Sequence, residues 1–279
     1  MPRFALAIEI SNPSSGPRGR IDVPDSGTVL AGPGIALAPL NDDGSHDTPD
    51  TELLHESGRH DDDLMPAIGR LFRRAGARAS DLARIAVSVG PGGYTSLRIA
   101  IATAKMLAEA TGAEVVPVPS ASVAAWCLPI VSAPALVCLA SKGATVHATL
   151  LPALSRSDWW PRTGRLACAS LLSQEDLAAL DQRIAAGKGW IAAAQPLGLL
   201  EAHQTEGFRP ATLVGDRFLP ETFRAAAARI GATILEPAFA ASSVLSIARG
   251  LPAANPLALA PIYPRQAEAV TQWRLRHPA

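Results

Sequence analysis

Residues Ile85 to Val118 read IAVSVGPGGYTSLRIAIATAKMLAEATGAEVVPV, and this stretch decides the fold class. Ile85 to Val89 is a short apolar, β-branched run, the pattern of a buried strand. Gly90-Pro91-Gly92-Gly93-Tyr94-Thr95 turns the chain into a helix predicted over about Thr95 to Ala110. Thr111-Gly112 ends that helix, and Glu114 to Val118 returns as a strand. Strand, helix and strand alternating in this order argue for an α/β fold. The helix is apolar nearly all round; Arg98, Ala102, Lys105 and Glu109 make a narrow, partly polar stripe. A helix with so little polar surface is expected to be covered on more than one side.

The same alternation extends outward. Phe4 to Ile10, Gly34 to Leu40 and Thr51 to Ser57 read as strands, with a Pro/Gly/Ser-rich loop from Ser11 to Pro33 between the first two. Asn41 to Asp63 carries nine acids and one Arg, which predicts a solvated acidic hairpin tip. Asp61-Asp62-Asp63 then opens a helix whose apolar positions Leu64, Met65, Ile68, Leu71, Phe72 and Ala75 recur at helical spacing. With Asp63 as the cap, Pro66 falls in the first turn, where its missing N–H costs nothing. Arg70, Arg73 and Arg74 lie near the negative end and Gly76 stops the helix. Downstream, Ser120 to Leu128 reads as a helix, Ala135 to Leu139 and Thr145 to Leu151 as strands, and Ser173 as the start of a short helix. Ala211 to Gly215 is a strand, Pro220 to Ile230 a helix, and Ala232 to Leu235 a strand. Ser242-Ser243 caps a last helix to Arg249. The expectation is an α/β protein in two lobes without a tandem sequence repeat.

Composition narrows the function. Hydrophobic residues make up 48% and charged residues 18% of the 279, which excludes a disordered chain. Basic and acidic residues balance at 25 each, which argues against autonomous nucleic-acid binding through phosphate neutralisation. Cys127, Cys138 and Cys168 form no CxxC pair, so buried free thiols in a reducing, cytoplasmic setting are expected. No apolar run approaches the ~20 residues that span a bilayer, and Phe4 to Ile8 is too short for the apolar core of a signal peptide.

Few residues offer chemistry. The corner Gly90, Gly92, Gly93 and Thr95 is first a tight strand-to-helix turn and second an anion cradle built from backbone amides. It matches neither GxxxxGK[ST] nor GxGxxG. The histidines His46, His55, His60, His147, His203 and His277 show no HExxH spacing, and no Gly-x-Ser-x-Gly occurs. Asp216 follows a strand and is placed to contact a ligand or simply be solvated. Trp159 and Trp160 are able to stack on bases but lie in a stretch better read as a loop or lobe surface. No catalytic or metal-binding set emerges.

The segment from His60 to Ala125 resembles the TsaB (YeaZ) family. His60, Leu64 and Pro66 match its His and L-x-P, and Gly90, Pro91, Gly92, Thr95, Leu97 and Arg98 match its G-P-G-S-F-T-G-L-R. Ala102, Thr103, Ala104, Lys105 and Leu107 match its A-T-A-K-x-L-A. Weaker echoes are Gly143, Val214-Gly215-Asp216 and Pro261-Ile262-Tyr263-Pro264-Arg265. The resemblance implies a two-lobed actin-like, sugar-kinase-like ATPase (ASKHA) fold, each lobe a mixed sheet with flanking helices. The first lobe would comprise 1–118 and about 240–279, with an insertion at about 13–32, and the second 119–239. It implies a non-catalytic subunit of the machinery that makes threonylcarbamoyladenosine beside the tRNA anticodon. Such a subunit scaffolds a TsaD-like transferase alongside a TsaE-like ATPase, homodimerises in isolation, and meets tRNA only through the complex. Contacts would come from Leu64, Ile68, Leu71 and Phe72 of the first helix and Arg98, Ala102 and Lys105 of the second. No cofactor or metal is implied, although ATP or ADP could sit at the subunit interface. The metal-binding histidine pair of TsaD falls at Ser120 and Ala124 here. Departures are Glu9-Ile10-Ser11 in place of Asp-Thr-Ser, Gly93 and Ser96 in place of the family Ser and Gly, and no Asp-Ala-Arg before Gly143. Rival readings are an ATPase or phosphotransferase of the same fold, a glycoprotease-like enzyme, or a self-associating adaptor.

Overall fold

The structure is a computed structural model that describes residues 3–12, 15–23, 26–41, 47–55, 60–128, 135–142, 144–151, 195–201, 210–249, 251–263, 270, 273, 276 and 277. The loop with Trp159 and Trp160, the helix at Ser173, Gly143, Cys168, His46 and His203 lie outside these residues.

Twelve strands and five α-helices are described. In chain order they are β1 (Arg3–Glu9), β2 (Gly19–Val23), β3 (Gly27–Ala31), β4 (Gly34–Leu40), β5 (Asp50–Leu53), α1 (His60–Ala75), β6 (Leu82–Gly90), α2 (Tyr94–Thr111), β7 (Glu114–Pro119) and α3 (Ser120–Trp126). Then come β8 (Ala135–Lys142), β9 (Thr145–Leu151), β10 (Gln195–Glu201), β11 (Thr212–Gly215), α4 (Glu221–Ile230), β12 (Thr233–Leu235) and α5 (Ala241–Ala248). Two five-stranded mixed sheets result, in the orders β5-β4-β1-β6-β7 and β10-β9-β8-β11-β12. In each, three antiparallel strands are followed by two parallel ones. The two halves therefore repeat one topology that leaves no trace of a tandem repeat in the sequence.

Period-two alternation in β1 explains the layering. Phe4, Leu6, Ile8 and Ile10 point to one face, where they meet Leu64, Ala67, Ile68 and Leu71 of α1 and Ala100, Ile101, Ala104 and Ala108 of α2. Ala5 and Ala7 point to the other face with Ala36, Ala38 and Ala86. These small side chains let α3 and α5 pack closely, through Val123, Val244 and Ile247, in a core that continues into Val137 and Val214 of the second sheet. On that sheet's far face, Leu136, Cys138, Val146 and Leu213 pack on Phe223 and Ala227 of α4. Burial pushes the Cys138 thiol well above its ordinary range, as befits a packing residue.

Four local expectations are corrected. The loop after β1 contains the hairpin β2–β3, because Ile21, Val23, Val29 and Ala31 supply an apolar side that packs on Trp126, Cys127, Ala238 and Ala240. Helix α1 begins at His60, so Pro66 lies inside it and costs one backbone hydrogen bond. The acidic stretch is not merely solvated. Asp50, Glu52 and Asp63 bind Arg70 and Arg74, tying edge strand β5 to α1: Arg70 Nε lies 2.6 Å from Glu52 Oε1, Arg70 Nη2 2.9 Å from Asp63 Oδ1, and Arg74 Nε 2.8 Å from Asp50 Oδ2. Finally, α5 starts from Ala240 without a side-chain cap. Its Ser243 is buried with Oγ 3.5 Å from Cys127 Sγ.

Candidate functional site

Three chain turns meet at the carboxyl ends of the parallel strands. The first follows β6. Gly90 takes φ 104°, a conformation that suits only glycine without strain, and α2 starts from Gly93. Gly92 lies against the turn after β1 so closely that an added Cβ would stand 2.0 Å from the Ser11 carbonyl oxygen. That oxygen accepts the Gly93 amide at 2.7 Å, and Asn12 Nδ2 donates to the Pro91 carbonyl at 3.2 Å. The Gly93 amide of the corner is thus spent within the chain, while Thr95 is exposed. This is the tight-turn reading of the glycines.

The second turn hangs on Glu9. Its carboxylate is buried on the inter-sheet face, where Oε1 accepts the Ser11 amide (2.8 Å) and hydroxyl (2.6 Å), and Oε2 accepts the Ser88 hydroxyl. Burial pushes the Glu9 pKa up, against the lowering effect of these hydrogen bonds. The position that resembles the first aspartate of the family pattern therefore serves as an inward knot. The third turn follows β11. Asp216 Oδ2 accepts the Ser15 hydroxyl at 2.5 Å, and Oδ1 accepts the Phe218 amide at 2.9 Å. Asp216 is buried, so the solvated reading fails.

A second surface lies on α1 and α2, and here burial redistributes the expected contact residues. Leu64, Ile68 and Leu71 are core residues, at most 6% exposed, and Phe72 is half-buried against the same core. They hold α1 to the sheet and are not open to a partner; Met65 is exposed on that helix instead. On α2, Arg98 and Ala102 are exposed and Lys105 is partly so. Tyr94 and Met106 extend them into a stripe at i, i+4, i+8 and i+12, with Met106 71% exposed.

The stripe is flanked by chain from far downstream. Ile262 N donates to Val89 O at 2.7 Å, and the Tyr263 ring stacks on Tyr94 with centroids 4.9 Å apart. Arg98 lies over the other aromatic, its Cζ 5.4 Å from the Tyr94 centroid, and its Nη1 donates to the Tyr94 hydroxyl. Lys105 Nζ reaches the Leu257 carbonyl at 3.4 Å, leaving the Leu257 side chain 85% exposed. The helical spacing of Tyr94 and Met106 was open to sequence reading; Leu257 and Tyr263 carry no local signal that would place them here.

Ser120 and Ala124 are both buried on α3. Among the described residues, no group of three or more His, Cys, Asp or Glu side chains could hold a metal ion. Nor is any helix among them long and apolar enough to cross a membrane.

Residues 55–150 match the family TsaD, tRNA N6-adenosine threonylcarbamoyltransferase, over about a third of the chain. No curated protein matches the sequence. Among solved structures, one is an uncharacterized Pseudomonas aeruginosa protein with similarity to peptidase YeaZ. It is 18% identical, with TM-score 0.53, and the match covers 94% of this chain and 100% of that one. YeaZ from the same organism is 17% identical, with TM-score 0.50, and the match covers 94% and 99%. These likenesses establish the fold. The TsaD-family match is confined to residues 55–150, and the two YeaZ-type structures share the fold of this chain along nearly its whole length.

Proposed function

We propose that this chain is a non-catalytic subunit of the tRNA threonylcarbamoyladenosine machinery, and that it scaffolds a TsaD-like transferase through the exposed side of α2. The observation that carries the reading is the stripe of Tyr94, Arg98, Ala102 and Met106, which lies inside the family-matched segment and stays open to solvent. An amphipathic helix normally spends its exposed side on charges. Here Tyr94, Met106 and an alanine share it with Arg98, a mixture of aromatic, Met and Arg side chains that suits an interface held ready for a partner. The partner, on this reading, is the TsaD-like subunit in a cytoplasmic complex that includes a TsaE-like ATPase, with tRNA engaged only through the assembly. In isolation the same side accepts a second copy. The chain itself supplies no reacting group, consistent with Ser120 and Ala124 at the positions matched to the TsaD histidines.

The test is pull-down of the TsaD-like subunit by Met106→Asp and Ala102→Arg variants, coupled to mass spectrometry of tRNA nucleosides from depleted cells that express them. Both variants are expected to keep the wild-type melting temperature, lose the partner and fail to restore threonylcarbamoyladenosine. Full restoration by both variants would sink the proposed interface. An unchanged nucleoside level after depletion would sink the functional assignment.

A further inference from the structure

Small molecules bind to α/β sheets in the crevice outside the carboxyl ends of the parallel strands. In this chain those ends include Glu9, Gly90 and Gly215, and described residues of the segment that leaves β1 touch the turns that follow Gly90 and Gly215. Its Ser11 carbonyl fills the space beside Gly92 and accepts the Gly93 amide, and its Asn12 amide group donates to Pro91 O. Four residues after Ser11, the Ser15 hydroxyl donates to Asp216, beyond β11 of the other sheet. Next to it, Gly16 takes φ 81°, and a Cβ there would stand 2.1 Å from the Pro237 carbonyl oxygen, between β12 and α5. The contacts continue past this segment: Arg18 Nη2 donates to Leu54 O at 2.8 Å, and Gly32 N donates to Phe239 O at 2.7 Å. The hairpin β2–β3 rests its apolar side on Trp126, Cys127, Ala238 and Ala240.

We infer that the segment after β1 is an internal strap. Ser11 and Asn12 anchor it to the first sheet and Ser15 and Gly16 to the second, so that it fills the crevice with protein and holds the two sheets in one fixed arrangement. In a ligand-closed α/β protein the bound molecule bridges the two sides. Here the Ser15–Asp216 bond and the Gly16–Pro237 contact supply that bridge covalently tethered, at no cost in association entropy. The glycine at 16 is part of the device, because no side chain fits between the strap and Pro237. The strap leaves the α2 stripe on a rigid body, which is independent of what docks there.

Hydrogen exchange on the full chain tests the strap, comparing wild type with Ser15→Ala, Ser15→Thr and Asp216→Asn. Loss of the part-buried hydroxyl–carboxylate bond is expected to speed exchange about tenfold at 11–16 and 236–240 in Ser15→Ala, with α1 and α2 unchanged, and less in Asp216→Asn, whose amide still pairs with the Ser15 hydroxyl. Ser15→Thr, which keeps the hydroxyl, is expected to exchange like wild type. Unchanged exchange at both segments in Ser15→Ala would overturn the strap. Adding millimolar ATP or ADP to wild type is expected to leave exchange at 11–16 and 90–95 as it was. Protection of both segments by nucleotide would show an open crevice and overturn the inference equally.

Discussion

The Ser11 carbonyl oxygen stands where a side chain on Gly92 would begin, 2.0 Å from an ideal Cβ. The obstacle is backbone, fixed by its acceptance of the Gly93 amide and by the hydrogen bonds of Ser11 to Glu9. It cannot swing aside as the end of a flexible side chain would. Gly92→Ala is therefore expected to cost about 3 kcal/mol, as overpacking does in a close-packed interior. Gly112, which ends α2 at φ 74°, is a control, because an added Cβ there meets nothing within 4 Å. Gly112→Ala is expected to cost only about 1 kcal/mol of backbone strain. Denaturant midpoints for the two variants decide it. Equal losses would mean that the contact between the two turns contributes nothing.

Glu9 gives stability an unusual pH slope. Burial raises its folded-state pKa above the ordinary 4.5. Between that value and the raised one, the folded chain holds a proton that the unfolded chain has released. Stability contributed by the protonated form is therefore full below the ordinary value and declines as pH rises through the folded one. Glu9→Gln keeps two acceptor contacts for Ser11 and offers an N–H to Ser88, mimicking the protonated carboxyl. The variant is expected to lack the decline, so its melting temperature should exceed that of wild type at neutral pH and converge with it in acid. Parallel curves would show that the carboxyl is not held protonated.

Much of the fold was legible because its signals are local. The β1 alternation, the helical period of α1 and the Gly-x-Gly-Gly corner each sit within a few residues and need no partner to be read. The hairpin β2–β3 was not legible, since its prolines and glycines mask an apolar side that acquires meaning only against Trp126 and Ala240. The burial of the α1 residues expected to meet a partner is illegible in sequence for a related reason. Leu64, Ile68 and Leu71 are apolar whether they face the sheet or a partner, and periodicity cannot tell which neighbour covers them. Tyr263 and Leu257 reach α2 from more than 150 residues away in sequence, beyond any pattern window. The pairing of Ser15 with Asp216 is equally remote.

Asp63 has the opposite slope to Glu9. Its partial burial would raise the carboxyl pKa, but the His55 amide, 3.0 Å from Oδ2, and the Arg70 guanidinium outweigh this and hold it below the ordinary range. The stability it contributes is present above the ordinary aspartate value and is lost as pH falls through the lowered one. Asp63→Asn is expected to cost about 1 kcal/mol at pH 7 and nothing in strong acid. Melting temperatures measured from pH 2 to 7 check this. A deficit that persists at pH 2 would point to lost packing instead of lost charge.

Met106 and Leu71 separate surface from core. Both are large apolar residues of the two helices expected to meet a partner, yet Leu71 is fully buried and Met106 is 71% exposed. Leu71→Ala deletes side-chain volume from the cluster of Leu6, Ile35 and Ile85 and is expected to cost ~2–5 kcal/mol. Met106→Ala removes nothing from that core and is expected to stay within ~0.5 kcal/mol of wild type. Affinity for a TsaD-like subunit should invert the order. Met106→Ala weakens binding measurably, while Leu71→Ala, assayed below its melting temperature, binds as wild type once corrected for the folded fraction. Titration calorimetry with both variants gives the comparison. If Leu71→Ala loses affinity and Met106→Ala does not, the partner contacts a rearranged α1, and the stripe on α2 is not the docking side.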